Sequence, residues 1–260
     1  MSQSTKAKCK PKSYTSEPSS LVHYTSMHVL LSLLEGVQDG YISFWSSLGN
    51  SMNDKGEGYS FLSNLFLDST ESETLVKKPM EEYRLTHGDY YVLSFTRTRR
   101  DIPFGNAAMW LNYADGGKGV MLRFTFKSLK GEYGKDRLIP CAYCNRSMMK
   151  KNVTRIRNKI KKNCSDDILQ EAYKEAYSTK MDGWSYEDEW RILSCSKSPE
   201  FRVTPKGIIP YITTKVPLSA LAEIMIGPCA DFELCEKSLM KIKEKTNAKY
   251  YISQCKLLIN

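Results

Sequence analysis

Trp184-Ser185-Tyr186-Glu187-Asp188-Glu189-Trp190-Arg191-Ile192-Leu193 places two glutamates at the mouth of an apolar, aromatic run. Residues 189–195 read as a strand, and in an extended chain side chains two apart share a face. Glu187 and Glu189 are therefore expected to project together, with Tyr186, Trp190 and Ile192 lining or flanking the other side. Paired acids in such a place suit gripping hydroxyls and steadying a developing positive charge. The plainer role leaves one glutamate facing solvent and pairs the other with Arg191 or a lysine.

Upstream of this stretch, residues 21–25 read as a strand. A helix follows, capped by Ser26 or Thr25, with an apolar face of Val29, Leu30, Leu33 and Leu34 and a stop at Gly36. This delivers His23 and Tyr24 to the lip of a helix. Residues 41–45 form a second strand, 50–58 a loop, and 60–87 a broken helical region. Residues 89–96 have high strand propensity and exit into Arg97, Arg99 and Arg100. A compact helix within 103–114 is stopped by Gly116 and Gly117, and 119–126 is a long apolar strand. Further strands are expected at 136–144, 208–212, 222–227 and 249–253, with helices over 148–180 and 231–245. Many short strands with irregularly placed helices predict an α+β fold of mostly antiparallel strands flanked by helices, and argue against a doubly wound parallel sheet. The expected organisation is a polar tail over 1–20 and a single domain over 21–260, with a basic helical insert at about 146–180.

The chain has 260 residues, 41% hydrophobic and 26% charged, an ordinary globular balance. It contains no apolar run near the roughly 18 residues that would span a bilayer, so no membrane partner is expected. Eight cysteines without a secretion signal point to free thiols in a reducing cytoplasm. The formal charge of +9 favours encounter with polyanions. Much of the excess lies between Arg146 and Lys162, where there is no acid at all. On a helix Lys151, Arg155, Lys159 and Lys162 share a face, either a nucleic-acid contact or a solvated surface.

Cys141 and Cys144 have the spacing of half a zinc site, but Cys229 and Cys235 complement them poorly, and no metal is expected. No phosphate-cradling glycine motif of the Rossmann or P-loop type occurs. His23, His28 and His87 are the three histidines, and no nucleophilic triad can be picked out from their spacing.

Taken together, several segments resemble one bacterial family, a domain of unknown function associated with abortive-infection proteins of the AbiGi type. They are Leu21-Val-His-Tyr-Thr-Ser26, Asn53-Asp54 with Glu57, Leu93-Ser-Phe-Thr96, Met109-Trp110 with Tyr113-Ala114 and Gly119, and Trp184 to Arg191. The likeness runs from about residue 21 to Gly227. It departs at the loop after Asp54, which lacks an expected proline, and at the lysine-rich stretch 146–180. More distantly the layout resembles the ADP-ribosyltransferase fold, with its split sheet, particularly the branch that modifies nucleic acid.

That second resemblance implies an NAD-consuming ADP-ribosyltransferase, a toxin-like antiphage effector acting on RNA or DNA and held in check by a neutralising antitoxin protein. It implies Glu189 as the catalytic carboxylate at a ribose hydroxyl, with Glu187 orienting or deprotonating the acceptor. His23 would bond the adenosine-side ribose or the diphosphate, and the backbone beside Tyr24 and Thr25 would grip the nicotinamide amide. Ser94 and Thr96 would brace the site, Tyr113 or Tyr24 would stack on the nicotinamide ring, and Arg97, Arg99 or Arg191 would meet the diphosphate. Trp110, Trp184 and Trp190 read mainly as core. Two other readings remain: a non-catalytic nucleic-acid or partner-binding module in which the two acids are only salt-bridge partners, and a metal-dependent nuclease using them with Asp182 or Asp188.

Overall fold

The computed structural model describes residues 17–49, 59–66, 73–204 and 207–258. The loop expected at 50–58, with Asn53, Asp54 and Glu57, lies outside the described residues, as does most of the polar tail.

The chain begins with β1 (Ser20–Thr25), α1 (Met27–Glu35) and β2 (Tyr41–Leu48). Ser26 caps α1 by accepting from the Val29 N–H at 3.2 Å. Leu30, Leu33 and Leu34 are buried, whereas Val29, expected on that face, is exposed. The broken helical region consists of α2 (Tyr59–Phe66), a π turn (Glu73–Lys77) and α3 (Lys78–His87). There follow β3 (Asp89–Arg97), α4 (Ala107–Tyr113) and β4 (Val120–Thr125). Then comes α5 (Phe126–Arg137), a helix the sequence pattern conceals. Gly131 and Gly134 interrupt its periodicity, and Gly134, at φ 65°, kinks the last turn. The strand expected at 136–144 is split into β5 (Leu138–Pro140) and β6 (Ala142–Cys144). Two helices, α6 (Arg146–Lys162) and α7 (Asp166–Ser178), lead to β7 (Thr179–Met181) and β8 (Glu189–Ser196). The chain closes with β9 (Glu200–Thr204), β10 (Gly207–Pro217), β11 (Leu221–Ile226), α8 (Phe232–Thr246) and β12 (Tyr251–Gln254). The fold is α+β with a mostly antiparallel main sheet, as expected. A small parallel sheet of β6 and β7 stands apart from it.

The main sheet runs β12-β11-β4-β1-β3-β2-β10-β9, with β8 and β5 added beside β3. β8 pairs along β3 from Asp89 to Thr96. On β3's other side, β1 pairs at Thr96 and Arg97 while β2 pairs at Tyr91 and Val92. Between those contacts the sheet forks. The His23 ring sits at the fork, and its Nδ1–H donates to the Ser94 carbonyl at 2.9 Å, giving that group a partner where strand pairing fails.

Register fixes the two faces. Val22 lies opposite Thr96, and Thr96 opposite Glu189, so these three side chains point one way. Leu21, His23, Phe95 and Trp190, one step along their strands, point the other. The second group belongs to a core of Leu21, Phe95, Leu122, Phe124 and Trp190 under α1, α5 and α8. On the first face, Val22, Tyr24 and Met121 pack beneath Met109 and Trp110 of α4. Farther along, Val92 and Leu193 meet the α2, α3, α6 and α7 cluster.

Candidate functional site

Where those last two clusters adjoin lies a buried ionic group. Glu187 is 3% exposed, Lys180 4%, Glu189 5% and Arg191 0%. Arg191 grips Glu189 as a fork, Nε to Oε1 at 2.8 Å and Nη2 to Oε2 at 2.9 Å, while its Nη1 donates to the Tyr177 carbonyl at 2.6 Å. Lys180 donates to Glu189 Oε2 at 2.8 Å and also pairs with Glu187, and it lies 5.7 Å from the centre of the Trp184 ring. The Tyr113 hydroxyl donates to Glu187 Oε1 at 2.6 Å, and the Glu189 backbone N–H donates to the Tyr143 hydroxyl at 2.8 Å. Two carboxylates meet two cations, so the group carries no net charge.

The local chain explains the convergence. Glu187 ends a 3-10 turn (Asp182–Glu187), and Asp188 follows at φ 45°, in the left-handed region. The acids therefore meet at Lys180 through a turn and not through regular strand alternation. Tyr186 accordingly lies on their side of the sheet, beside the Tyr24 cluster, while Trp190 and Ile192 face the opposite core. Burial works to raise the pKa of Glu189, but Arg191 and then Lys180 outweigh it and hold the carboxylate below its ordinary range. For Tyr113, burial and then the hydrogen bond to Glu187 push the phenol's pKa well up. Glu189 is thus ionised at neutral pH with both oxygens engaged, which suits an internal counter-ion better than a proton donor.

Several candidate residues do meet here. Ser94 lies opposite Arg191 and Thr96 opposite Glu189, and Tyr113 touches Glu187 directly. Ser94 Oγ is buried and has no hydrogen-bond partner among the described residues. Thr96 and Arg97 line a pocket on the same face with Tyr24, Arg99, Arg123, Tyr186 and Asp188. Burial and the neighbouring Arg99 both lower the pKa of Arg97. Thr25 is buried at the end of β1, and Tyr24 packs edge-on to Trp110 with ring centres 5.2 Å apart. Trp110 and Trp190 are core residues.

Two expectations need correction. His23 and the acid pair do not line a common cleft. His23 points to the opposite face of the sheet, its ring edge-on to Phe44 and Phe95 at 5.1 and 5.8 Å, where burial lowers its pKa. A bond from His23 to a ribose gripped by Glu189 has no geometric basis here. The basic stripe is also different. Arg155 pairs with Glu171 and Glu175, and Lys159 with Glu171, because α7 lays its acids against that side of α6. Lys151 and Lys162 stay exposed, joined by Arg146 and Lys150. Arg157 is spent on the carbonyls of Asn64 and Leu65 at the end of α2.

Lys180 and Tyr143 escaped the sequence reading. Lys180 is a lone charge in a short strand, and Tyr143 sits inside the Cys-x-x-Cys spacing that drew attention only as half a zinc site. Among the described residues, no three His, Cys, Asp or Glu side chains cluster closely enough to hold a metal ion, and no helix is long and apolar enough to cross a membrane.

The segment that delivers Tyr113, Tyr143, Lys180, both glutamates and Arg191 is also the part of the chain that known families recognise. Residues 109–192 match the family described as "Protein of unknown function (DUF2971)". The match takes in both the Met109-Trp110 and the Trp184-to-Arg191 motifs. No curated protein and no solved structure matches the chain.

Proposed function

We propose that this chain is a polyanion-binding module whose favoured ligand is nucleic acid, with the conspicuous acid pair serving as internal structure. One observation carries this reading. Glu187 and Glu189 are neutralised inside the protein by Lys180 and Arg191, while Arg146, Lys150, Lys151 and Lys162 stand exposed on α6 with no partner among the described residues. The surface thus keeps its positive excess, in a chain of net charge +9. The test is a titration of fluorescent RNA and DNA oligomers at 50 and 200 mM salt. Four phosphate contacts predict about a 100-fold loss of affinity over that range. A flat salt response sinks the reading.

A second reading is NAD-dependent ADP-ribosyl transfer by an antiphage toxin of the AbiGi type, paired with an antitoxin. It draws support from the register that sets Thr96 opposite Glu189 and Ser94 opposite Arg191, and from the Tyr113 hydroxyl on Glu187. An ionised Glu189 suits stabilisation of a cationic ribosyl centre, but Lys180 must first release an oxygen to the ribose. In this version His23 braces β1 against β3 and does not touch NAD. Incubation with labelled NAD and total RNA, DNA or lysate separates the two readings. Transfer lost in Glu189→Gln supports the enzyme, and binding without transfer supports the module.

A further inference from the structure

At one end of the main sheet β9 pairs with β10, and no described strand pairs with its other side. The register sets Val203 opposite Ile208 and Phe201 opposite Pro210, so these four side chains share a face. On β10 that face continues to Val216, which lies opposite Ile42 of β2 in the main core. At the hairpin the core face therefore runs on without cover: Phe201 is 67% exposed, Val203 83% and Ile208 72%. Contiguous apolar side chains at an unpaired sheet edge mark an interaction surface.

The backbone of β9 is set to receive a further strand. Pro210 has no N–H, so it and Phe201 cannot exchange the two hydrogen bonds of a bonded antiparallel pair. The β10–β2 ladder also stops at Tyr211, one residue short of Pro210. By alternation, the N–H and C=O groups of Phe201 and Val203 point away from β10, to the open edge. The strand's other face carries Glu200 and Arg202. Glu200 accepts from the Tyr211 hydroxyl at 2.9 Å and the Thr213 hydroxyl at 3.2 Å. Arg202 Nη2 donates to the Ser47 hydroxyl at 3.0 Å, and its guanidinium lies 5.4 Å from the centre of the Trp45 ring. Uncharged groups thus hold both charges in place.

We infer that this edge pairs with the β9 edge of a second copy of the chain, antiparallel about a two-fold axis. The occupant is a second copy because β9 complements itself. With Phe201 opposite Phe201, Glu200 of each copy faces Arg202 of the other, which places opposite charges across the junction on one face. On the other face the two Phe201 rings join Val203 and Ile208 of both copies in one apolar strip. Sliding the register by two residues would set Arg202 against Arg202, and like charges directly opposite disfavour it. The inference stands apart from the polyanion reading.

The experiment is analytical ultracentrifugation of the whole chain at about 5 and about 100 µM. Reducing buffer keeps the exposed Cys164, Cys195 and Cys229 from linking copies through disulfides. A dimer that grows with concentration is expected. Phe201→Lys and Val203→Lys should each weaken it by at least about 10-fold. Their circular dichroism should match the parent's, because both side chains are exposed. Arg202→Glu should weaken the dimer as well, and adding Glu200→Arg should restore it, because the exchanged charges are again complementary. A parent that stays monomeric at the higher concentration, or a dimer indifferent to both lysine substitutions, overturns the proposal. No recovery in a folded Glu200→Arg/Arg202→Glu variant overturns the register, and with it the reason for choosing a second copy.

Discussion

Arg191 and Glu189 project from the same side of β8 and join as a two-pronged ion pair, at 2.8 and 2.9 Å, with both side chains buried. A buried pair gains little over apolar packing, but breaking it strands a charge, typically at a cost of about 3–5 kcal/mol. Arg191→Met is therefore expected to destabilise the fold by about that much, read from urea unfolding. Removing both partners in Arg191→Met/Glu189→Leu should cost clearly less than the sum of the single changes. Additive losses would mean that the two side chains do not interact.

Lys180 has a different task, since it keeps two carboxylates from facing each other unscreened. With Lys180→Met, one glutamate must take up a proton to relieve the repulsion, so the variant's stability should rise as pH falls from 7 toward 5. The parent should show the opposite trend at lower pH. The folded-state pKa of Glu189 is depressed, so its contribution is present above the unfolded value of 4.5 and is lost as pH falls below it. Thermal melts of both proteins across this range give the signs directly. Parallel pH profiles would remove Lys180 from its place between the acids.

The backbone was largely legible before the structure, because periodicity and turn residues speak locally. The strand at Leu21, the cap at Ser26, the stop at Gly36 and the order of strands and helices through residue 126 all follow from such signals. Helix α5 did not, since Gly131 and Gly134 weaken its pattern where it begins directly from β4. At the site, proximity came through the pairing of β3 with β8, which sets Ser94 opposite Arg191 and Thr96 opposite Glu189. What failed was facing. His23 differs from Val22 by one position, and the pleat sends the two to opposite sides, a parity no local signal fixes until the partner strand is known. Electrostatic partners fared no better, because Glu171 and Glu175 reach the α6 stripe from a separate helix.

His23 should register in the pH dependence of stability. Burial lowers its folded-state pKa below the ordinary 6.5, with the bond to Ser94 only partly offsetting the effect. Below pH 6.5 the unfolded chain therefore binds more protons than the native one, so His23 makes stability fall as pH drops through that range. His23→Asn keeps an N–H for the Ser94 carbonyl and cannot titrate. It should flatten the slope between pH 6.5 and 5 relative to the parent. An unchanged slope would show that other groups account for it.

Gly105 holds the turn before α4 at φ 80°, and a Cβ there would come within 2.0 Å of the Tyr24 hydroxyl oxygen. Gly105→Ala combines a strained backbone with that clash, and the backbone alone is worth roughly 1–3 kcal/mol. Removing the hydroxyl takes away the nearest obstacle, so Gly105→Ala should cost less in a Tyr24→Phe background. Guanidinium unfolding of the four proteins in this cycle measures the coupling. A coupling of zero would assign the whole effect to the backbone.

The corrected basic surface separates two kinds of cation on α6. Lys150, Lys151 and Lys162 are exposed without partners among the described residues, while Arg155 is tied to Glu171 and Glu175. Replacing the three lysines by alanine should leave the melting temperature nearly unchanged and weaken RNA binding. It should also reduce the slope of log affinity against log salt by about 2 to 3, a little under one counter-ion per contact. Arg155→Ala should do the reverse, loosening the α6–α7 contact and leaving the salt slope intact, because its charge already serves α7. If Arg155→Ala instead lowers the slope as each lysine does, the ion pairs with Glu171 and Glu175 give way to phosphate on binding, and the stripe through Lys151, Arg155, Lys159 and Lys162 regains its standing as the contact surface.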